Sequence, residues 1–272
     1  MADKATPTGF LSVTFLLAVQ KKVNIWFSLS GRSERKCEVQ RFFMETFMKR
    51  SEINHIIKES IKFFNRMNFK LPEWGYWKLS DWKKVNPEDI REIVENMLGW
   101  DITDYGGNNF NKKGLILFTL RNGNLKKDKK RYAEKIMIIK KDQEAPMHFH
   151  WKKMEDIINR GGGILAIECY MPDGNENKSK KSFSIKIDGI SRTIKAGNIV
   201  RLNPGESICL EPGIYHSFTA EKADVLVGEV SSVNDDKTDN RFFEKQGRFP
   251  EIEEDVLPEY LMVNDYKKFL SL

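Results

Sequence analysis

HFHWKKMEDIINRGGG, running from His148 to Gly163, sets two histidines either side of one phenylalanine. A glutamate follows after the spacer WKKM, and three glycines close the stretch. On a strand, residues two apart share a face. His148 and His150 therefore project together, into a barrel interior if that face is inward, while Phe149 points into a packing layer. The spacer is long enough for the chain to turn and return the carboxylate of Glu155 beside the imidazoles. A further imidazole has to come from a distant strand, and His216 in PGIYHSF is the candidate, placed just after the tight turn that Pro212 and Gly213 signal. The chain has 4 histidines, and three of them fall in these two segments. His55 lies on an early helical stretch and reads as an exposed or capping residue. Three imidazoles and one carboxylate suit a divalent first-row ion: Mn, Fe, Co, Ni or Zn. They also leave positions open on a six-coordinate ion, as substrate binding requires. The competing reading of His-x-His alone is a pair of half-buried histidines without metal.

Composition narrows the class. With 272 residues, 40% hydrophobic and 31% charged, the chain can bury a sizeable core. A net charge of +6 is mild, with lysines scattered among nearly as many acids. The one dense basic run, Lys126, Lys127, Lys129, Lys130 and Arg131, has no aromatic residues interleaved for base stacking. It reads as a solvated hairpin tip, so no nucleic-acid partner is expected. The 3 cysteines are Cys37, Cys169 and Cys209, with no CxxC pair. That argues against a disulfide framework or a thiolate zinc site and for a reducing, cytoplasmic setting. Gly9 to Val19 is apolar but too short to span a bilayer, and no small-x-small cleavage site follows it. No membrane association is expected. Residues 1–47 read as an extension of unknown role, either disordered or lying upstream of the true start, with Met48 opening the well-patterned sequence.

Helical signals come first. Ser51 is placed to cap a helix carrying Ile53, Ile56, Ile57, Ile61 and Phe64 at spacings of three and four. In NPEDIREIVENMLG, Asn86 suits an N-cap and Pro87 the first helical position, and Gly99 suits a left-handed terminator. After Gly99 the period becomes two. Strands are predicted at 115–120, 132–140, 164–170, 182–187, 193–195, 199–202, 207–210, 214–219 and 225–230, with turn-rich pieces such as IDG, KAGN and NPGE between them. Many short strands at close spacing predict a barrel or sandwich, not alternating βαβ units.

HFHWKKMEDIINRGG and GESICLEPGIYH resemble the paired motifs of the cupin superfamily. The second departs from the usual pattern: Glu211 stands where a proline is common, and the proline has moved to Pro212, which alters a turn and not a ligand. NNFNKKGLILFTLRNG, YAEKIMI, PMHFHWKKMEDIINRGGG, LNPGESICLEPGIYHSF and VLVGEVSSVNDD together are similar to the D-lyxose ketol-isomerase family, from about Met48 onward. The resemblance implies a mainly β, cupin-type double-stranded β-helix (jelly-roll) barrel over residues 48–272, with N-terminal helices at about 51–99. It implies interconversion of D-lyxose and D-xylulose, often also D-mannose and D-fructose, with Mn²⁺ the usual cofactor and His148, His150, Glu155 and His216 its ligands. Cupins frequently pair, so a homodimer is expected.

Aldose–ketose isomerisation moves a proton between C1 and C2, so negative charge must be stabilised on the enediolate oxygens. A chelating divalent ion does this as a Lewis acid, and a base must reach the carbon-bound proton. Glu229, in VLVGEVSS, is a carboxylate inside an apolar strand. Unpaired burial is costly, so it needs partners or a site, and it is the candidate base. Lys153, between the histidine pair and Glu155, could neutralise an oxyanion or donate a proton; the bland alternative is a surface lysine. Arg248 could bind sugar hydroxyls or pair with Glu229. Asp235 and Asp236 are nearby loop charges, with Asp235 taken as a substrate contact, and Trp151 could offer a sugar-stacking face or join the core. Two rival functions fit a cupin ligand set: an Fe²⁺ dioxygenase and a non-catalytic sugar-binding protein.

Overall fold

The computed structural model describes residues 47–270, all of which fall within the unit Glu45–Leu272. The expectation about an N-terminal extension concerns residues almost entirely outside that range. Thirteen strands run in order: β1 Met48–Lys49, β2 Gly99–Thr103, β3 Leu115–Arg121, β4 Tyr132–Ile139, β5 Glu144–His150, β6 Glu155–Tyr170, β7 Phe183–Ile187, β8 Ile190–Ile194, β9 Ile199–Leu202, β10 Ser207–Leu210, β11 Tyr215–Ser232, β12 Asn240–Phe242 and β13 Ile252–Glu253. Four helices accompany them: α1 Arg50–Arg66, α2 Leu79–Trp82, α3 Arg91–Glu95 and α4 Tyr266–Phe269. No helix among the described residues is long and apolar enough to cross a membrane.

Two long strands organise the barrel. β11 pairs antiparallel with β6 along nearly its whole length. Its first part also pairs with β5, and its second part with β4. β6 likewise gives its first half to β10 and its second half to β9. Each long strand thus passes from one layer of the jelly roll to the other, and the corner is a bulge, where strands switch layers. The ladder shifts register between Glu221 and Val225, opposite Gly161, Gly162 and Gly163. Gly162 has φ +96, and a Cβ there would sit 2.1 Å from the Asp224 carbonyl oxygen. The triple glycine of the sequence motif is therefore a steric requirement of the corner. It also explains why the predicted strands at 214–219 and 225–230 are one continuous strand.

Strands β3 and β4 are apolar on both faces because each covers a different core. Leu115, Leu117, Met137 and Ile139 face the barrel interior with Ile157, Leu165, Phe218 and Val227. Ile116, Phe118, Ile136 and Ile138 face outward against Ile53, Ile56, Ile57 and Phe64 of α1. The helical stripe has rotated slightly from the predicted one. Ser60 is buried and returns its hydroxyl to the Ile56 carbonyl at 2.7 Å, leaving Ile61 at the margin. Ser51 does not cap α1, which begins one residue earlier. The Asp255 carboxylate does so from across the fold, accepting the Ser51 amide at 2.9 Å and its hydroxyl at 2.6 Å. The second predicted helix shrinks to α3, and its terminator is not Gly99. Met97 takes the left-handed conformation, φ 54. Leu98 N–H reaches the Ile93 carbonyl and Met97 N–H the Val94 carbonyl, which is the Schellman pattern. Gly99 uses its own φ of +121 to open β2, with the Tyr266 hydroxyl 2.4 Å from where a Cβ would lie.

Candidate metal centre and cavity

Strand pairing puts the histidines together. His148 on β5 and His216 on β11 are direct cross-strand partners, and His150 is on the same face of β5 as His148. The ligating nitrogens of the three rings lie within 4.8 Å of one another. His216 is delivered by the turn Glu211 to Ile214, closed by Ile214 N–H to the Glu211 carbonyl at 3.2 Å. Pro212 and Gly213, with φ +87 at the glycine, suit the two central positions of a type II turn. The displaced proline of the motif therefore builds a turn without moving the ligand. The spacer WKKM is held by Asp239, whose carboxylate accepts the amides of Lys152 and Lys153 at 2.9 and 3.0 Å, and Glu155 then opens β6.

The donor set fits a cation. His148 Nδ1 donates to the Pro146 carbonyl at 2.8 Å, and His216 Nδ1 donates to the Ile214 carbonyl at 2.9 Å. Those bonds select the tautomer that leaves a lone pair on Nε2. His216 Nε2 lies 3.1 Å from Glu155 Oε1, and both atoms are buried without a hydrogen-bond partner. Two buried acceptors facing each other at that distance call for either a proton or a bound cation between them. Oε1 is also 3.6 Å from His150 Nε2. Burial drives His148 down to about 3, with His216 adding to the effect. Burial likewise lowers His150 well below its ordinary value, followed by the charge of Lys153. Neutral imidazoles are the form that ligates metal.

Lys153 is not on the surface. Its side chain is 2% exposed, with Nζ 2.6 Å from Glu155 Oε2 and 2.9 Å from Glu229 Oε1. Burial alone would lower its pKa, but the two carboxylates outweigh that and raise it. Burial would raise Glu155, yet Lys153 and the imidazoles hold its carboxyl well below the usual range. Glu229 is both in the cavity and ion-paired. Its Oε1 meets Lys153, Lys135 at 3.3 Å and the Ser231 hydroxyl at 3.0 Å.

Lys153, Glu155 and Glu229 line one cavity together with His148 and His150. Leu115, Leu117, Met137, Ala145, Phe218 and Phe242 form its apolar wall, while Tyr105, Asn240, Asp236 and Arg248 close its polar side. Arg248 does not pair with Glu229. Its guanidinium meets Asp101 at 2.7 Å and Asp236 at 3.4 Å, and its Nη1 is buried without a partner. Asp235 is outside the cavity lining; its carboxylate is used within its own turn by the Thr238 hydroxyl at 2.6 Å and the Lys237 amide at 3.0 Å. Asp236, the next residue, takes the cavity position. Trp151 is 49% exposed and lies outside the lining. It is not part of the core, and its ring packs in a T-shaped contact with Phe149 at 4.6 Å between centroids. Lys135 was missed in the sequence, although the signal that flagged Glu229 was there: a charge inside the apolar strand YAEKIMII.

Fold and site together define a cupin-type barrel with a histidine–carboxylate centre able to hold a metal. Residues 48–266 match the model of the D-lyxose isomerase family. A D-lyxose/D-mannose isomerase of Serratia proteamaculans is 46% identical over 228 residues, covering 82% of this chain and 100% of that protein. One from Escherichia coli O157:H7 is 47% identical over 226 residues, again covering 82% of this chain and 100% of that protein. The chain belongs to the D-lyxose isomerase family and is a sugar isomerase. Among solved structures, L-ribose isomerase of Acinetobacter sp. DL28 in complex with L-ribose superposes with a TM-score of 0.52 at 15% identity, over 77% of this chain and 99% of that one. Ligand-free L-ribose isomerase of Cellulomonas parahominis gives a TM-score of 0.52 at 14% identity, over 77% of this chain and 100% of that one. These likenesses concern the fold.

Proposed function

We propose that this protein is a metal-dependent isomerase that interconverts D-lyxose with D-xylulose, and also D-mannose with D-fructose; D-lyxose and D-mannose are the sugars in the names of its curated relatives. The single observation that carries the metal dependence is the buried, unpartnered pair of acceptors on His216 and Glu155 beside two further imidazoles. A divalent ion held by His148, His150, Glu155 and His216, with Mn²⁺ as the proposed ion, would polarise the sugar's carbonyl and neighbouring hydroxyl oxygens as a Lewis acid.

The chain's own residues supply the rest. Glu229 is the proposed base for the carbon-bound proton, at the wall of the cavity. Lys153, held protonated between two carboxylates, offsets negative charge growing on the sugar oxygens and also fixes both carboxylates in place. Arg248 carries a buried, unused N–H and is the proposed contact for a hydroxyl at the far end of the sugar, with Asp236 as its neighbour. The charged side chains lining the cavity balance, with Lys135, Lys153 and Arg248 against Glu155, Glu229 and Asp236. Before metal enters, that wall has no formal excess, which suits a neutral sugar on which negative charge develops only during reaction. The apolar wall excludes water from the same space.

The test is direct. Protein stripped with EDTA and given D-lyxose should form no D-xylulose until Mn²⁺ is restored. Absence of product with every divalent first-row ion contradicts the proposal, as does full turnover by the stripped protein.

A further inference from the structure

Glu229 has two carboxylate oxygens in different circumstances. Lys153 Nζ, Lys135 Nζ and Ser231 Oγ all meet Oε1, at 2.9, 3.3 and 3.0 Å. No donor among the described residues reaches Oε2 within hydrogen-bond distance. An oxygen loaded with donors is a poor proton acceptor, because its lone pairs are engaged and its charge is already stabilised. Lys153 cannot enforce this inequality alone, since it is shared with Glu155. Lys135 is the added element. It is the direct cross-strand partner of Glu229 on β4, buried on the inner face.

Lys135 is itself held. Its Nζ donates to Asn234 Oδ1 at 2.7 Å. Asn234 and Asn122 are interlocked: Asn234 N–H donates to Asn122 Oδ1 at 3.0 Å, and Asn122 Nδ2 donates to the Asn234 carbonyl at 3.0 Å. Asn96 braces Asn122 in turn, through Nδ2 to the Asn122 carbonyl at 3.0 Å. A chain of interlocking asparagines thus fixes an ammonium in the cavity wall, as a connected hydrogen-bond network can.

We propose that Lys135, with Ser231, is a positioning residue that commits one oxygen of Glu229 to structure and leaves the other as the atom that takes the proton from carbon. The inference rests on the isomerase reading above. In the step, the C2–H bond of the aldose breaks and its proton goes to Oε2. The electron pair forms the C1–C2 double bond while the C1–O1 π pair moves onto O1. The hydroxyl hydrogen of O2 then moves to O1, the C2–O2 double bond forms, and the pair of the C1–C2 double bond takes the same proton onto C1. No oxidant or reductant is needed.

The experiment uses the Mn²⁺-loaded full chain and the variants Lys135→Met and Ser231→Ala. Steady-state kinetics are measured with D-lyxose and with D-lyxose deuterated at C2, alongside metal content and a crystal structure of each variant. For Lys135→Met, kcat should fall about 10- to 100-fold, part of the 10²–10⁴ that a general base contributes. KM and metal content should hold within about threefold while the deuterium isotope effect on kcat rises, since only the proton-transfer step has been slowed. In the crystal the Glu229 carboxylate should rotate to offer both oxygens to Lys153. Ser231→Ala should move the same readouts less, and it removes no charge, so it carries the test if Lys135→Met does not fold. An unchanged isotope effect with unchanged Glu229 geometry would overturn the proposal, as would parallel loss of metal and KM. A wild-type protein inactive on D-lyxose overturns the isomerase reading instead, and the carboxylate's orientation in the Lys135→Met crystal still decides this one.

Discussion

His148 shows how burial and chemistry combine at a single residue. Half-buried among apolar walls and other imidazoles, it is pushed down to about 3 by desolvation, and His150 moves the same way. An unfolded histidine takes up its proton near pH 6.5. Between that value and the depressed folded value, the unfolded chain binds more protons than the native one, so acid favours unfolding. Metal-free protein should therefore lose stability as pH falls from 7 toward 4, by up to about 1.4 kcal/mol per pH unit for each such residue. Urea unfolding at a series of pH values measures it. Replacing His148 by asparagine should flatten the slope; an equal slope in the variant would show that this ring is not the source.

At the scale of elements, the corner shared by β6 and β11 matters most. It lets β11 carry His216 in one layer and Glu229 in the other. Gly162 permits the bend, and any side chain there meets the Asp224 carbonyl. Gly162→Ala should cost about 1–3 kcal/mol from backbone conformation alone, with more from the contact, and should reduce turnover by misplacing Glu229 relative to the histidines. Chemical denaturation beside kinetics checks this, and a stability change under about 0.5 kcal/mol, the size typical of plain surface substitutions, would mean the corner is more pliant than the geometry implies. Sequence spacing found most strand centres because alternation survives in them. It did not find the single strands spanning 155–170 and 215–232, because a bulge breaks the period that a pattern search follows. Nor did it find the end of α3, where Met97 adopts a conformation usually given to glycine.

At the scale of the whole molecule, the convergence of the candidate metal ligands was legible and the cavity's opposite wall was not. Histidine is rare in this chain, and His148, His150 and His216 stand with Glu155 in motifs of fixed spacing that strand pairing had only to bring together. Lys135, Asp101 and Asp236 come from elements far apart in sequence, and their meeting with Glu229 and Arg248 depends on barrel closure. Asp235 and Asp236 are adjacent, so only the loop's conformation decides which faces inward. Trp151 could be read either as a sugar platform or as core, and its exposure argues against the core. The proposed metal dependence requires four side chains from three strands to grip one cation. Anomalous diffraction at the manganese absorption edge, from crystals of the Mn²⁺-loaded protein, tests this most directly. The expected result is one strong peak within bonding distance of Nε2 of the three histidines and of the Glu155 carboxylate. No peak among these residues, or a peak held by a different set, would contradict it.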